Sequence, residues 1–302
     1  MPRSKVGPVT APALKQDLLT FEELAQIASA FVDLGVRKVR VTGGEPLVRQ
    51  ELPRLIERLR QLSIDDLCLT TNGSLLAGQA EALAAAGLGR VTVSLDALDQ
   101  STFQRMSDTR TPVTRVLAGI DAARHHGLTP VKINMVVQRG VNDHCVVPMA
   151  RWARREGLEL RFIEYMDVGC SNGWQSSDVV PADELRERIH QVWPLVPIDG
   201  GQGFETAQRF HYGDGRGSVG FIASISQPFC SSCTRARVSS RGDLHTCLFA
   251  PAVLALRELV RAGADLRAAI GNVWRARTDR YSELRAITRG KLTRPEMSAI
   301  GG

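Results

Sequence analysis

At 302 residues, 43% hydrophobic and with a formal net charge of +6, the chain can bury a core large enough for two domains or one barrel of ordinary size. No apolar run reaches the roughly eighteen residues of a membrane span, and the opening MPRSKVGPVTAPALKQDLL is Pro-rich and polar where a secretory leader would be apolar, so a cytoplasmic protein with no membrane partner is expected. In that reducing setting the six cysteines are expected as free thiols or metal ligands rather than disulfides, and the net positive charge suits an anionic partner without naming one.

In chain order, TFEELAQIASAFVDLG opens with a capping box, Thr20 with Glu23, and closes at Gly35. KVRVTG follows as a strand, then the helix ELPRLIERLRQL, the strand DLCLTT, the helix GQAEALAAAG and the strand RVTVSL. Two helical patterns flank RTP and lead to the strand VKINMVV, a helix from about Val146 to Glu156, and the strand LELRFIEY. Such alternation predicts an α/β fold with a parallel sheet or (β/α) barrel and a site at the C-terminal strand ends. After Tyr165 the rhythm breaks. A loop rich in Gly, Ser and Asp leads to a helix near Ala182 to Gln191, and a hairpin is expected around GDGRG. Helices from about Pro251 to Arg275 and a polar tail close the chain.

A parallel strand packed on both faces should be almost entirely apolar, and these are not. Lys38, Arg40 and Thr42 alternate with Val39 and Val41; Cys68 and Thr70 with Leu67 and Leu69; Thr92 and Ser94 with Val91, Val93 and Leu95; Lys132 and Asn134 with Val131, Ile133 and Met135. A side-chain period of two gives each strand one apolar and one polar face. Burying Lys38, Arg40 and Lys132 without anions would be costly, which predicts a cavity for an anionic molecule over a merely solvated face. TGGEP, residues 42–46, lies between strand and helix; its glycines let backbone amides approach a ligand, and Glu45 could hold an ammonium group, although many such loops only turn. From Arg275 to Arg294 the tail carries Arg275, Arg277, Arg280, Arg285, Arg289, Lys291 and Arg294, read as a solvated basic face rather than a nucleic-acid contact.

Cys230, Cys233 and Cys247 stand at C-x2-C-x13-C, whereas Cys68, Cys145 and Cys170 are scattered and read as core or loop residues. Arg235 and Arg237 follow Cys233 at spacings of two, so an extended segment sets two guanidinium groups beside a metal, suiting a phosphate-bearing ligand. The rival is a structural zinc with His245 or His211 as fourth ligand; ligand type alone fits both zinc and an iron-sulfur cluster.

The runs LTFEE, VRKVRVTGGEPLVR, LTTNG, VSLDAL, VKINMVVQRGVND, RFIEYMDVG, PFCSSCTRARVSSRG, CLFA, DRYSELR and the terminal IGG resemble the GTP 3',8-cyclase family of molybdenum cofactor biosynthesis, in the radical S-adenosylmethionine (SAM) superfamily, over nearly the whole chain. The resemblance implies a radical SAM partial (β/α) barrel over 1–200 and a C-terminal cluster domain over 201–302. It implies that Cys230, Cys233 and Cys247 hold a 4Fe-4S cluster whose fourth iron position takes the guanine of GTP. By the same resemblance Arg40, Thr70, Lys132, Arg235 and Arg237 match GTP-contacting positions and Gly44, Ser94 and Met166 SAM-contacting ones, while Gly301 and Gly302 match a tail that reaches the active site. In such enzymes SAM yields a 5'-deoxyadenosyl radical that takes a ribose hydrogen from GTP, giving (8S)-3',8-cyclo-7,8-dihydroguanosine 5'-triphosphate. Implied partners are GTP, SAM, an electron donor, the downstream cyclic pyranopterin monophosphate synthase and a second copy in a homodimer, with no nucleic acid.

The family's first cluster, a second 4Fe-4S group, sits on C-x3-C-x2-C, and none of the six cysteines here forms that run. In many members Met-Pro follows the third of those cysteines and this chain opens Met1-Pro2, so a start internal to a longer protein is expected, with the first barrel strand lacking and KVRVTG left as an open edge. Three readings follow: an enzyme of this type; a GTP-binding iron-sulfur protein without catalysis; and a zinc-stabilised nucleic-acid binder, which the polar strand faces and the CTRAR run favour least.

Overall fold

The computed structural model describes residues 17–168, 173–199, 205–288, 295 and 300. Its first helix, α1 (Phe21–Asp33), begins with the expected reciprocal cap: Thr20 Oγ1 accepts from Glu23 N–H, and Glu23 accepts from Thr20 N–H. Then β1 (Lys38–Val41), α2 (Leu52–Arg60), β2 (Asp66–Thr71), α3 (Ala80–Ala85), β3 (Arg90–Ser94), α4 (Gln100–Ser107), α5 (Val113–His125), β4 (Lys132–Val137), α6 (Val146–Arg155) and β5 (Glu159–Glu164) alternate as the periodicity predicts. The five strands pair in parallel and in sequence order.

Beyond β5 come α7 (Ala182–His190), β6 (Leu195–Pro197), β7 (Gln208–Tyr212) and β8 (Ser218–Ile222). The hairpin around GDGRG forms, but it does not stand apart: β8 pairs in parallel with β5, giving one eight-stranded sheet in the order β1-β2-β3-β4-β5-β8-β7-β6. The barrel sheet therefore continues past residue 200 without a break. On its apolar face Leu69, Val93, Ile133, Leu160 and Val219 are fully buried against helix residues such as Ile56, Leu83, Ile120 and Met149. Each such side chain is worth about 1.5–3 kcal/mol of burial.

The C-terminal region builds a second sheet from β9 (Arg237–Val238), β10 (Asp243–His245) and β11 (Leu254–Ala255), with α8 (Leu256–Arg261), α9 (Leu266–Arg275) and α10 (Tyr281–Thr288) around it. α1 bridges the two regions: Ile27 and Ala30 share a small core with Leu244, Leu256, Leu266 and Ile270, while α1 also packs on α2. Among the described residues β1 is an edge strand, as the sequence suggests, and no helix is long and apolar enough to cross a membrane.

Candidate functional site

The face of β1–β5 opposite the helices carries a ladder of charge set by the period of two. At its base Arg90 makes two hydrogen bonds to Asp66, 3.0 and 2.6 Å, and Lys38 pairs with the same carboxylate at 3.0 Å. These donors hold Asp66 at a pKa of about 2 although its burial pushes the other way. Higher up, Glu159 bridges Lys132 at 2.8 Å and Arg161 at 2.6 Å. Arg40 is different. Its described hydrogen bonds go to the hydroxyls of Thr70, 2.7 Å, and Thr92, 3.3 Å, and among the described residues no carboxylate lies within ion-pair distance. Burial, with Arg90 and Arg161 nearby, lowers its pKa. Burial and Arg161 likewise lower that of Lys132. Asn134 adds a buried Oδ1 with no partner. This face holds more positive charge than it neutralises, and it offers hydrogen-bonding groups to something not made of this chain.

At the C-terminal strand ends the loops turn toward the same side. Gly43 takes φ +152°, which an L side chain rarely adopts, and a Cβ there would meet nothing within 4 Å, so the backbone faces open space. Gly44 beside it is exposed, and so is Ser94, between the fully buried Val93 and Leu95. Glu45 does not wait for an ammonium group with both oxygens bare. It accepts from Leu47 N–H at 3.0 Å, Thr71 Oγ1 at 2.7 Å and Asn72 N–H at 2.7 Å, bracing the TGGEP loop against the TTNG turn. Met166, just past β5, packs in a satellite cluster with Val168, Phe249, Tyr281 and Cys247. One SAM-matching residue and one candidate ligand thus share a small core.

The cysteine segment meets the end of β5, where Cys247 and Phe249 share a cluster with Met166 and Val168. Cys230, Cys233 and Cys247 are all half-buried free thiols. Arg235 Nε donates to Cys233 Sγ at 3.4 Å. Burial raises the Cys233 pKa, but the Arg235 charge and hydrogen bonds from Arg235 and Arg277 outweigh it and the net shift is downward, toward the thiolate a metal needs. Burial raises that of Cys247. Arg237 opens β9, and its pKa falls to about 10 through burial and then Arg235; the charges of Cys233, Cys247 and Arg40 also reach it. Arg237 therefore lies within electrostatic reach of both Arg40 and the thiols of Cys233 and Cys247.

The donor set fits an iron-sulfur cluster better than zinc. A tetrahedral zinc with bonds of about 2.0–2.3 Å draws its ligands to within roughly 4 Å of one another. Among the described residues the group of three Cys, His, Asp or Glu atoms gathered within 4.8 Å is Asp99, His144 and Cys145, not the three cysteines here. His245 is buried and its Nδ1 lies 3.1 Å from the Ala250 carbonyl, while His211 is exposed on β7. The Asp99 group reads as capping: Asp99 accepts from Thr102 N–H at the start of α4, and burial with Asp99 alongside pushes the Cys145 thiol up to about 11.

An α/β sheet whose parallel strands β1–β5 turn a cationic face away from their helices, with a three-cysteine segment after it in the chain, suits a cofactor-using enzyme of the radical SAM class, and comparison agrees. The family described as Radical SAM superfamily matches residues 9–153, and the one described as Molybdenum Cofactor Synthesis C matches 158–283. A GTP 3',8-cyclase of Acidothermus cellulolyticus is 52% identical over 100% of this chain and 87% of its own length. One from Xanthomonas campestris is 50% identical over 94% of this chain and 84% of its own. The chain belongs to the GTP 3',8-cyclase family. Among solved structures, Streptococcus suis SuiB bound to S-adenosylmethionine matches with a TM-score of 0.59 at 16% identity, over 83% of this chain and 60% of that one, which shows the shared fold.

The structure sets Arg40 on Thr70 and Thr92, Lys132 on Glu159, Arg235 on Cys233 and Met166 in one cluster with Cys247, while Gly44 and Ser94 lie exposed at the strand ends. Gly301, Gly302 and Cys170 lie outside the described residues. Lys38 is corrected: it sits at the open edge, 58% exposed and paired to Asp66, so it carries no unmet charge into the lumen. The basic tail is corrected in part, since Arg277, Arg280 and Arg285 pair with Asp279, Glu283 and Asp167. Sequence reasoning missed Glu159 and Arg161, although both obey the alternation used for the other strands. It also missed Glu164, fully buried, which accepts from the backbone N–H of Ala182, Ile225 and Ser226 and so anchors the approach to Cys230.

Proposed function

We propose that this chain binds GTP in the cationic lumen and acts as a GTP 3',8-cyclase, converting it to (8S)-3',8-cyclo-7,8-dihydroguanosine 5'-triphosphate by SAM radical chemistry in the cytoplasm. The observation that carries the reading is the pair of partly buried lumen cations, Arg40 and Lys132, with Arg235 and Arg237 beside the three-cysteine segment. Buried cations of one sign are stable only with an anion among them, and a triphosphate supplies several negative charges at once. Lys132 is half-neutralised by Glu159 and serves as a point charge; Arg40, held flat by Thr70 and Thr92, presents its remaining N–H groups; Arg235 and Arg237 reach from the thiol side.

Cys230, Cys233 and Cys247 would hold the C-terminal 4Fe-4S cluster. Bound there, the cluster would supply an iron with a fourth position open to a nitrogen or oxygen of the base. Gly44, Ser94 and Met166 would take SAM at the strand ends, and Gly301 and Gly302 would approach the reacting sugar. For the SAM-cleaving cluster the residues present do not fit, because Cys68, Cys145 and Cys170 make no C-x3-C-x2-C run. A second reading is GTP binding without catalysis. An electron donor and the cyclic pyranopterin monophosphate synthase that consumes the product would be partners of the active form only.

Anaerobic reconstitution with iron and sulfide, followed by calorimetry with GTP and an assay for 5'-deoxyadenosine, separates the readings. About four irons per chain with GTP binding supports the site. 5'-Deoxyadenosine formation selects the enzyme and its absence the binder. A zinc-only protein that ignores GTP overturns both.

A further inference from the structure

Segment 277–285, RTDRYSELR, touches both parts of the thiol segment, the C-x2-C turn and the stretch that follows Cys247. Arg277 donates to the carbonyl of Cys233 while its guanidinium pairs with Asp279 at 3.3 Å. Glu283 Oε1 accepts the N–H of Ser231, between the two cysteines of the C-x2-C turn, at 3.0 Å. Tyr281 stacks on Phe249, two residues after Cys247, with ring centroids 4.5 Å apart. The same Tyr281 hydroxyl donates to Asp167 Oδ2 at 2.8 Å, and Arg285 Nε donates to Asp167 Oδ1 at 2.9 Å. Asp167 is 1% exposed and follows Met166 at the end of β5. Arg285 also lies against both stacked rings, 5.6 Å from each centroid.

These contacts differ from those of an ordinary packed helix. Two address backbone atoms of the C-x2-C turn, one addresses the ring beside the third cysteine, and two end on a single buried carboxylate of the barrel. We propose that residues 277–285 form the outer frame of the thiol site: Arg277 and Glu283 fix the Cys230–Cys233 turn, while Tyr281 and Arg285, locked on Asp167, hold the Cys247 segment at a set position relative to the SAM end of β5. All are positioning residues; none is assigned to touch substrate. The inference rests on the reading of the three cysteines as cluster ligands and names what keeps them in register with the barrel. Groups that orient ligands from outside commonly change metal affinity roughly 10–100-fold when removed.

Glu283 gives the clean test because it lies near the surface and its loss leaves the core intact. In the reconstituted protein, Glu283→Ala is expected to lose its cluster to a chelator roughly 10–100-fold faster than the wild type. The melting temperature should be unchanged, and Glu283→Gln, which keeps an oxygen for Ser231 N–H, should restore most of the lifetime. A second variant, Asp167→Asn, removes the charge and one of the two acceptor oxygens; it should broaden the electron paramagnetic resonance signal of the reduced cluster as the Cys247 segment loosens. A Glu283→Ala protein that keeps its cluster as long as the wild type, or a Glu283→Gln protein as labile as the Ala variant, overturns the frame even if GTP still binds. A wild type that holds the cluster but ignores GTP sinks the proposed substrate and leaves the frame standing. A wild type that takes up no cluster sinks both.

Discussion

The two walls of the site are built on different principles. The lumen wall, β1 to β5, has parallel strands whose backbone ladders fix each side chain, and Asp66 and Glu159 neutralise only part of its positive charge. The thiol wall, residues 229–249, has strands of two and three residues joined by short turns, and side chains tens of residues away brace its C-x2-C turn. One wall is held by secondary structure and the other by tertiary clamps. The barrel should therefore tolerate the loss of the thiol wall's order, and the thiol wall should be the less stable of the two.

The sharpest way to break this contrast is to remove a clamp. Replacing Arg285 by Met leaves the buried Asp167 carboxylate without its cation and should cost about 3–5 kcal/mol in denaturant unfolding. The double change Asp167→Leu with Arg285→Met should recover much of that loss, since a buried pair replaced by apolar groups is often neutral. A double variant no better than Arg285→Met would show that the charge pair is not what matters. In the other wall, Leu69→Ala opens a cavity at a fully buried position and should cost about 2–5 kcal/mol, with the cluster lifetime of surviving folded protein unchanged.

Arg237 separates stability from function. It is a half-buried cation near Arg235 and Arg40, and Arg237→Met keeps a long apolar stem in its place, so the substitution should leave the nucleotide-free protein folded. It should weaken GTP binding by roughly 10–100-fold, the worth of about 1.5–3 kcal/mol for a charged hydrogen bond. Calorimetry and thermal melting on one preparation test both halves.

Acid should act on the lumen wall through Asp66. Its folded pKa, about 2, is below the usual carboxylate value near 4, so its ion pairs stabilise the fold above about pH 4 and the contribution fades as pH falls toward 2. Asp66→Asn should flatten that acid limb in a pH series of melts, and an unchanged limb would count against the base of the ladder as an acid-sensitive element. Smallest of all, Thr20→Ala should cost about 1 kcal/mol through the cap of α1, with no effect on GTP binding.

How much was legible followed the same divide. Strand alternation gave the order of β1 to β5 and the polar lumen, because period two is a local property of sequence. Lys38 obeys that period and was still misread, since periodicity tells the face of a strand but not how near its open end a residue lies. The register of β8 beside β5 was hidden, because SVGFI pairs locally with β7 and nothing in it names a second neighbour. The cysteine spacing pointed to a metal site, but the frame was not visible: Glu283 lies 52 residues from Ser231, and Arg285 lies 118 from Asp167. Such partners are chosen by the tertiary fold alone.

The central claim is that one anion site spans both walls, from Arg40 and Lys132 to the three cysteines. The most direct measurement is the electron paramagnetic resonance spectrum of the reduced, reconstituted protein during a GTP titration. The account predicts a saturable change in the cluster signal that Arg40→Met and Arg237→Met each weaken, although Arg40 stands on the opposite wall from the cluster. A signal indifferent to GTP, or one that responds equally in the Arg40→Met protein, would contradict it.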